Sequence, residues 1–364
     1  MENFSIDIPQ ADLDDLRTRL THTRWPRELP GNGWTRGVAL TELRELVEYW
    51  ATEYDWRAAE ASLNKFPQHV VDFQGQPIHF VHVRSAREAA LPLLLIHGWP
   101  STFAEFADVI EPLSRDFHVV VPTIPGFGFS GPVTENGWEV ARTAEAFAHV
   151  MEQLGYTRYG IQAGDVGAGI AGAISRLGDA VVAMHVNGPG PHPFGGPVSL
   201  DGLTGKDVAR AERFNAFVAS GLGYLQVQAT RPKTVGYALN DSPVGQLAWI
   251  AEKYREWSDP NSPHAFGIDR DALLTIASIY WFTQAGASSA EYVYESMNAP
   301  GTWAAAAAPT GFAVFAADPG IRSIVDPNNE IEHWVEYDAG GHFPAIEVPD
   351  LLVEDVRTYF STRS

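Results

Sequence analysis

The sequence predicts an α/β fold: a mostly parallel sheet with helices on both faces, a helical insertion late in the sheet and a helical extension ahead of it. Three observations lead there. Short apolar runs recur along the first half of the chain: LPLLLIHG (91–98), HVVVP (118–122), YGIQA (159–163) and VVAMHVNG (181–188). Runs of that length without alternation suit strands buried on both faces, and strands separated by helices pair in parallel. The strand signal then stops between about 190 and 300, where aromatic residues and helical periodicity take over. It returns at GFAVFAA (311–317) and EHWVEY (332–337).

Taken in order, residues 10–21 and 40–60 read as amphipathic helices, with Trp25-Pro26 and Pro30-Gly31 breaking the chain between them. QHVVDF and IHFVHV flank Gly75-Gln76-Pro77 and read as a hairpin. A helix of small residues, 167–177, follows the strand 159–163, and a last helix spans about 349–360. The expected division is a helical extension packed on the core (1–68), a first part of the core (69–189), a helical lid (190–300) and a second part of the core (301–364).

Of the 364 residues, 45% are hydrophobic and 19% charged, so the chain can bury a large core. Lys and Arg number 25 against 45 Asp and Glu, a net charge of −20. Such a surface repels phosphate backbones and anionic lipids, which sets aside nucleic-acid and membrane partners. There is no cysteine, so disulfides, thiol catalysis and thiolate metal sites are excluded. The start, MENFSIDIPQADLDDL, lacks the basic flank and apolar run of a signal peptide. No stretch reaches the roughly 18 apolar residues of a spanning helix. A cytoplasmic location is expected. The histidines and carboxylates lack HExxH-type spacing, so neither metal nor cofactor is expected.

Four short strings carry chemistry. In Ala163-Gly164-Asp165-Val166-Gly167 a buried strand ends, the chain turns sharply and a helix starts. Small residues two before and two after Asp165 meet the steric demand of a nucleophile elbow. A carboxylate at that position needs no base to become a nucleophile. The plainer alternative is that Asp165 only caps the helix. His97-Gly98-Trp99-Pro100 follows the strand 91–96 at the sheet edge where sites form. There the N–H groups of Trp99 and Val166 can face a developing oxyanion, or the string is an ordinary turn around a buried Trp. Gly340-Gly341-His342-Phe343-Pro344 puts a late histidine on a loop, where a base belongs. Asp318, directly after the strand 311–317, is the acid that can orient His342; Asp326 and Glu330 compete for that role.

These strings together resemble the microsomal-type epoxide hydrolases, which include the juvenile hormone epoxide hydrolases and bacterial relatives. The resemblance runs from Phe4, Ile6, Leu13, Leu16, Leu20, Arg24-Trp25-Pro26 and Trp34 to His97–Ser101, Pro125–Ser130, KTVGYALNDSPVG (233–245) and Gly340–Phe343. It implies an α/β-hydrolase fold and an enzyme that opens a small apolar or aromatic epoxide to a vicinal diol. Asp165 is then the nucleophile, His342 the base and Asp318 the charge-relay acid. Trp99 and Val166 form the oxyanion hole, and His97, Trp99, Pro100, Tyr224 and Tyr280 contact substrate. Two tyrosines should donate hydrogen bonds to the epoxide oxygen. Tyr224 matches the first. Counting on from Tyr280-Trp281-Phe282-Thr283 and Ser288-Ser289, the second position holds Val293, so Tyr292 or Tyr294 must substitute. The expected partners are the epoxide and water, with a homodimer as the assembly alternative. A haloalkane dehalogenase would carry Trp after the nucleophile, where this chain has Val166, and a serine esterase would need Ser in place of Asp165. A non-catalytic binding protein would bind ligand without turnover.

Overall fold

The structure, a computed structural model, describes residues 1–27, 30–190, 195–301 and 304–363. A strand β1 (Glu2–Phe4) opens the chain, followed by helices α1 (Gln10–Thr21), α2 (Leu40–Thr52) and α3 (Trp56–Leu63). The expected helix over 40–60 is broken at 53–55, where the Asp55 carboxylate accepts the Ala58 N–H and starts α3. The extension is not wholly helical as expected. β1 pairs antiparallel with β2 (Gln68–Phe73), so the first residues become the edge of the main sheet.

β2 and β3 (Gln76–Val83) form the expected hairpin. Then come β4 (Leu91–Ile96), α4 (Ala107–Ser114), β5 (Phe117–Pro122), α5 (Val140–Gln153), β6 (Tyr159–Ala163), α6 (Asp165–Ser175) and β7 (Val181–Asn187). A run of helices follows with no strand among the described residues: α7 (Lys206–Ala216), α8 (Gly223–Thr230), α9 (Pro232–Asp241), α10 (Pro243–Trp257), α11 (Arg270–Phe282) and α12 (Ala285–Asn298). The sheet resumes with β8 (Thr310–Val314) and, after α13 (Arg322–Val325), ends with β9 (Trp334–Glu336). α14 (Pro344–Glu347) and α15 (Pro349–Phe360) complete the chain.

Among the described residues nine strands form one sheet in the order β1-β2-β3-β5-β4-β6-β7-β8-β9, antiparallel as far as β5 and parallel beyond it. Leu93, Leu94, Leu95 and Ile96 are fully buried, which explains why β4 reads as an unbroken apolar run. Each such side chain contributes about 1.5–3 kcal/mol relative to exposure. The register pairs Ile96 with Ala163, and Ala163 with Val186. The loops after β4, β6 and β7 therefore leave the sheet side by side at one edge. The extension packs on the insertion: the Trp50 indole N–H donates to Ser278 Oγ at 3.1 Å, and the Tyr49 hydroxyl to Asp271 at 2.8 Å. Among the described residues, no helix is long and apolar enough to cross a membrane.

Candidate active site

Asp165 sits where β6 turns into α6, with φ of +49°. A non-glycine residue held in that left-handed region costs about 1–3 kcal/mol, which the surroundings must offset. They do so by close packing that only glycine permits. A β-carbon at Gly98 would lie 2.4 Å from Asp165 Oδ1, and one at Gly167 would lie 2.5 Å from the Ile96 carbonyl. The turn lifts the carboxylate out over the sheet edge. There Oδ1 accepts the Trp99 N–H at 2.9 Å, and the Val166 N–H also bonds the carboxylate. The two expected oxyanion-hole donors thus converge on the expected nucleophile. Burial raises the Asp165 pKa, but His342 and these two N–H groups more than offset it, leaving the group below the usual carboxylate range.

His342 lies across from it, with Nε2 3.4 Å from Asp165 Oδ2. Its backbone is pinned by its own N–H, which donates to the Trp257 carbonyl at 3.0 Å. Burial lowers the imidazole pKa, but Asp165 first, then Asp318 and Glu105, raise it above the ordinary value. Asp318 is buried on the far side of the ring. Its Oδ2 accepts the Phe315 N–H at 2.8 Å. A β-carbon at Gly188, whose φ is +69°, would lie 3.4 Å from Asp318 Oδ1 and 3.9 Å from His342 Nδ1. The pair is thus juxtaposed, with no direct hydrogen bond between the two side chains. Burial lifts Asp318 to about 6. Of its sequence competitors, Asp326 caps the loop ahead of β9 through the N–H groups of Glu330 and Ile331, and Glu330 is exposed.

Tyr224, on α8, stacks on the Trp99 ring with centroids 5.0 Å apart and planes 13° apart. Lys253 Nζ lies 4.8 Å from the centroid of the same phenol. Burial, and then the Asp165 charge, push the Tyr224 pKa far up, so its proton is retained. Its hydroxyl makes no hydrogen bond with the described residues.

The other five expected contacts are placed as follows. Tyr292 is buried, and its hydroxyl donates to Thr143 Oγ1 at 3.0 Å on α5. Tyr294 is 38% exposed. Residues adjacent on a helix point about 100° apart, and here one is buried against α5 and the other is exposed. Tyr280 donates to the Ser101 carbonyl at 3.1 Å and braces the loop after β4. His97 uses both ring nitrogens on backbone: Nε2 accepts the Ile124 N–H and Nδ1 lies 3.1 Å from the Gly98 carbonyl. Burial keeps it neutral, with a pKa of about 4. Pro100 is buried in that same loop.

The comparisons with known proteins agree with this geometry. The family model described as "Epoxide hydrolase N terminus" matches residues 1–106, and that described as "alpha/beta hydrolase fold" matches residues 92–218. The chain is 42% identical to a Stigmatella aurantiaca (strain DW4/3-1) protein named "Putative epoxide hydrolase", over 98% of this chain and 84% of that one. It is 31% identical to juvenile hormone epoxide hydrolase 1 of Ctenocephalides felis, over 98% and 84%. This chain belongs to the microsomal-type epoxide hydrolase family. The epoxide hydrolase of Aspergillus niger superposes with a TM-score of 0.89 at 30% identity, covering 100% of this chain and 96% of that one.

The epoxide hydrolase site also contains residues that the sequence reading passed over. Asn187, at the end of β7, takes a hydrogen bond from Gln162 at 2.7 Å and turns its amide toward the His342 carbonyl. Glu105, buried in the 3-10 turn Phe103–Phe106, and Glu347, half-buried on α14, lie near His342, and both are lifted to about 7, chiefly by loss of solvent. Glu105 had a signal within Phe103-Ala104-Glu105-Phe106, a charge inside an apolar string directly after the oxyanion loop.

Proposed function

We propose that this protein hydrolyses a small apolar or aromatic epoxide to a vicinal diol through an ester on Asp165. The observation that carries this reading is the carboxylate on the strained turn, held by two backbone N–H groups with an imidazole 3.4 Å away. Tyr224 donates its O–H to the epoxide oxygen while Asp165 attacks a ring carbon, so one C–O bond forms as the ring C–O bond breaks. The strained ring opens to an alkoxide, a strong base, which takes the tyrosine proton.

His342 then removes a proton from water, whose oxygen bonds to the ester carbonyl carbon. The N–H groups of Trp99 and Val166, already aimed at that carboxyl, hold the oxyanion. Collapse of the adduct breaks the bond to the alkyl oxygen, which takes the proton held by His342, and releases the diol. The proton lost by Tyr224 is returned when hydrolysis regenerates the Asp165 carboxylate. Tyr224 and Trp257 of the helical lid pack with Trp99 of the loop after β4 into an aromatic wall beside the site, which favours an apolar substrate. The test is turnover of racemic styrene oxide. The wild-type protein should give the diol, and a folded Asp165→Ala variant should lose at least about a thousandfold in kcat. Retained activity in that variant would rule the scheme out.

A further inference from the structure

Beneath Asp165 and His342 lies a cavity of about 10 Å³, lined by both of them and by Glu105, Ser101 and Asn187. That volume is about what one water requires, and a buried water needs two to four polar partners. Three further acids lie around His342, Asp318 and Glu105 buried and Glu347 half-buried, and two of them are committed elsewhere. Asp318 accepts the Phe315 N–H, and Glu347 accepts the Phe343 and Asp259 N–H groups through its two oxygens. Glu105 is 9% exposed and lines the cavity; the Ser101 hydroxyl is its neighbouring donor, and no backbone N–H among the described residues bonds it. The neighbouring Ser101 and Tyr254 hydroxyls are also buried, and neither is taken up by a backbone group.

We propose that this cavity seats the water that hydrolyses the Asp165 ester, and that Glu105 is the residue that positions it. The water donates one O–H to His342 Nε2 and the other to a Glu105 carboxyl oxygen, which turns its lone pair toward the ester carbonyl carbon. His342 takes the first proton as the new C–O bond forms. Glu105 keeps its protonation state throughout and acts only by orientation. A carboxyl group lifted toward neutrality still offers its carbonyl oxygen as an acceptor, so the role survives protonation.

The proposal rests on the ester reading, and it separates the two half-reactions. In single-turnover experiments with styrene oxide, Glu105→Leu should form the ester within about threefold of the wild-type rate and hydrolyse it at least about tenfold more slowly. Intact-protein mass spectra should then show accumulated adduct. Glu105→Gln, which keeps an acceptor oxygen in place, should restore most of the hydrolysis rate. If the Leu variant does not fold, Glu105→Asp withdraws the carboxyl group by one methylene and should show the same selective slowing. Hydrolysis at the wild-type rate, or a proportional fall in both half-reactions, would overturn the proposal. A wild-type protein that forms no adduct would overturn the ester reading beneath it as well.

Discussion

At the scale of single residues, the site depends on charges that change during the reaction. Asp165 is the largest influence raising the His342 pKa, whereas burial lowers it. Esterification neutralises Asp165, so that support disappears and His342 falls back toward its neutral form. A base that sheds its proton only after the ester exists can activate water when water is needed. A group whose folded pKa is raised contributes stability below its unfolded value and loses it as pH rises through the folded one. The Asp165 pKa is lowered by the same pair and its contribution is lost as pH falls, so the His342–Asp165 interaction stabilises the free enzyme most between the ordinary carboxylate and histidine ranges, where both groups are charged. In Asp165→Asn, the His342 ring-proton titration followed by NMR should move to lower pH than in the wild type. An unchanged titration would show that the carboxylate does not govern the imidazole. In the proposed mechanism Tyr224 is the acid, with Tyr292 bonded to Thr143 and Tyr294 exposed. General-acid groups contribute about 10²–10⁴-fold, so Tyr224→Phe should slow ester formation by about a hundredfold. Hydrolysis of ester already formed should be unaffected, a split that stopped-flow single turnovers would resolve.

At the scale of elements, what matters is how closely three loops crowd one sheet edge. The register that pairs Ile96 with Ala163 brings Gly98 against Asp165. Any side chain at 98 must displace the nucleophile or its strand. Gly98→Ala should cost about 1–3 kcal/mol in denaturant unfolding and most of the turnover. A variant of normal stability and activity would contradict the packing described. This crowding was legible in the sequence, because an elbow advertises itself locally through the small residues around Asp165. Strands β4 to β8 were legible for a similar reason, each being an apolar run buried on both faces. The lid tyrosines were not. Which face of α12 meets the site depends on its packing against α8 and α9, and spacing from Ser288-Ser289 cannot report that rotation. Glu105 was hidden differently: an acid is ordinarily read as surface, and only the fold shows it buried. β1 escaped notice because three residues carry too little pattern, and its pairing partner lies more than sixty positions away.

At the scale of the whole molecule, extension, sheet and insertion act as one support for a small reactive volume. The extension braces α11 through Tyr49 and Trp50, and α11 braces the loop after β4 through Tyr280. α10 carries Trp257, whose carbonyl holds the His342 backbone. Each part of the chain thus fixes one partner of Asp165, the carboxylate proposed as the nucleophile. The most direct test follows the oxygen. With enzyme in excess over styrene oxide in heavy-oxygen water, the diol from the first turnover should carry no label, and the label should appear in the peptide containing Asp165. Heavy oxygen in the first-turnover diol, with Asp165 unlabelled, would mean that water attacks the epoxide directly and that Asp165 is not the nucleophile.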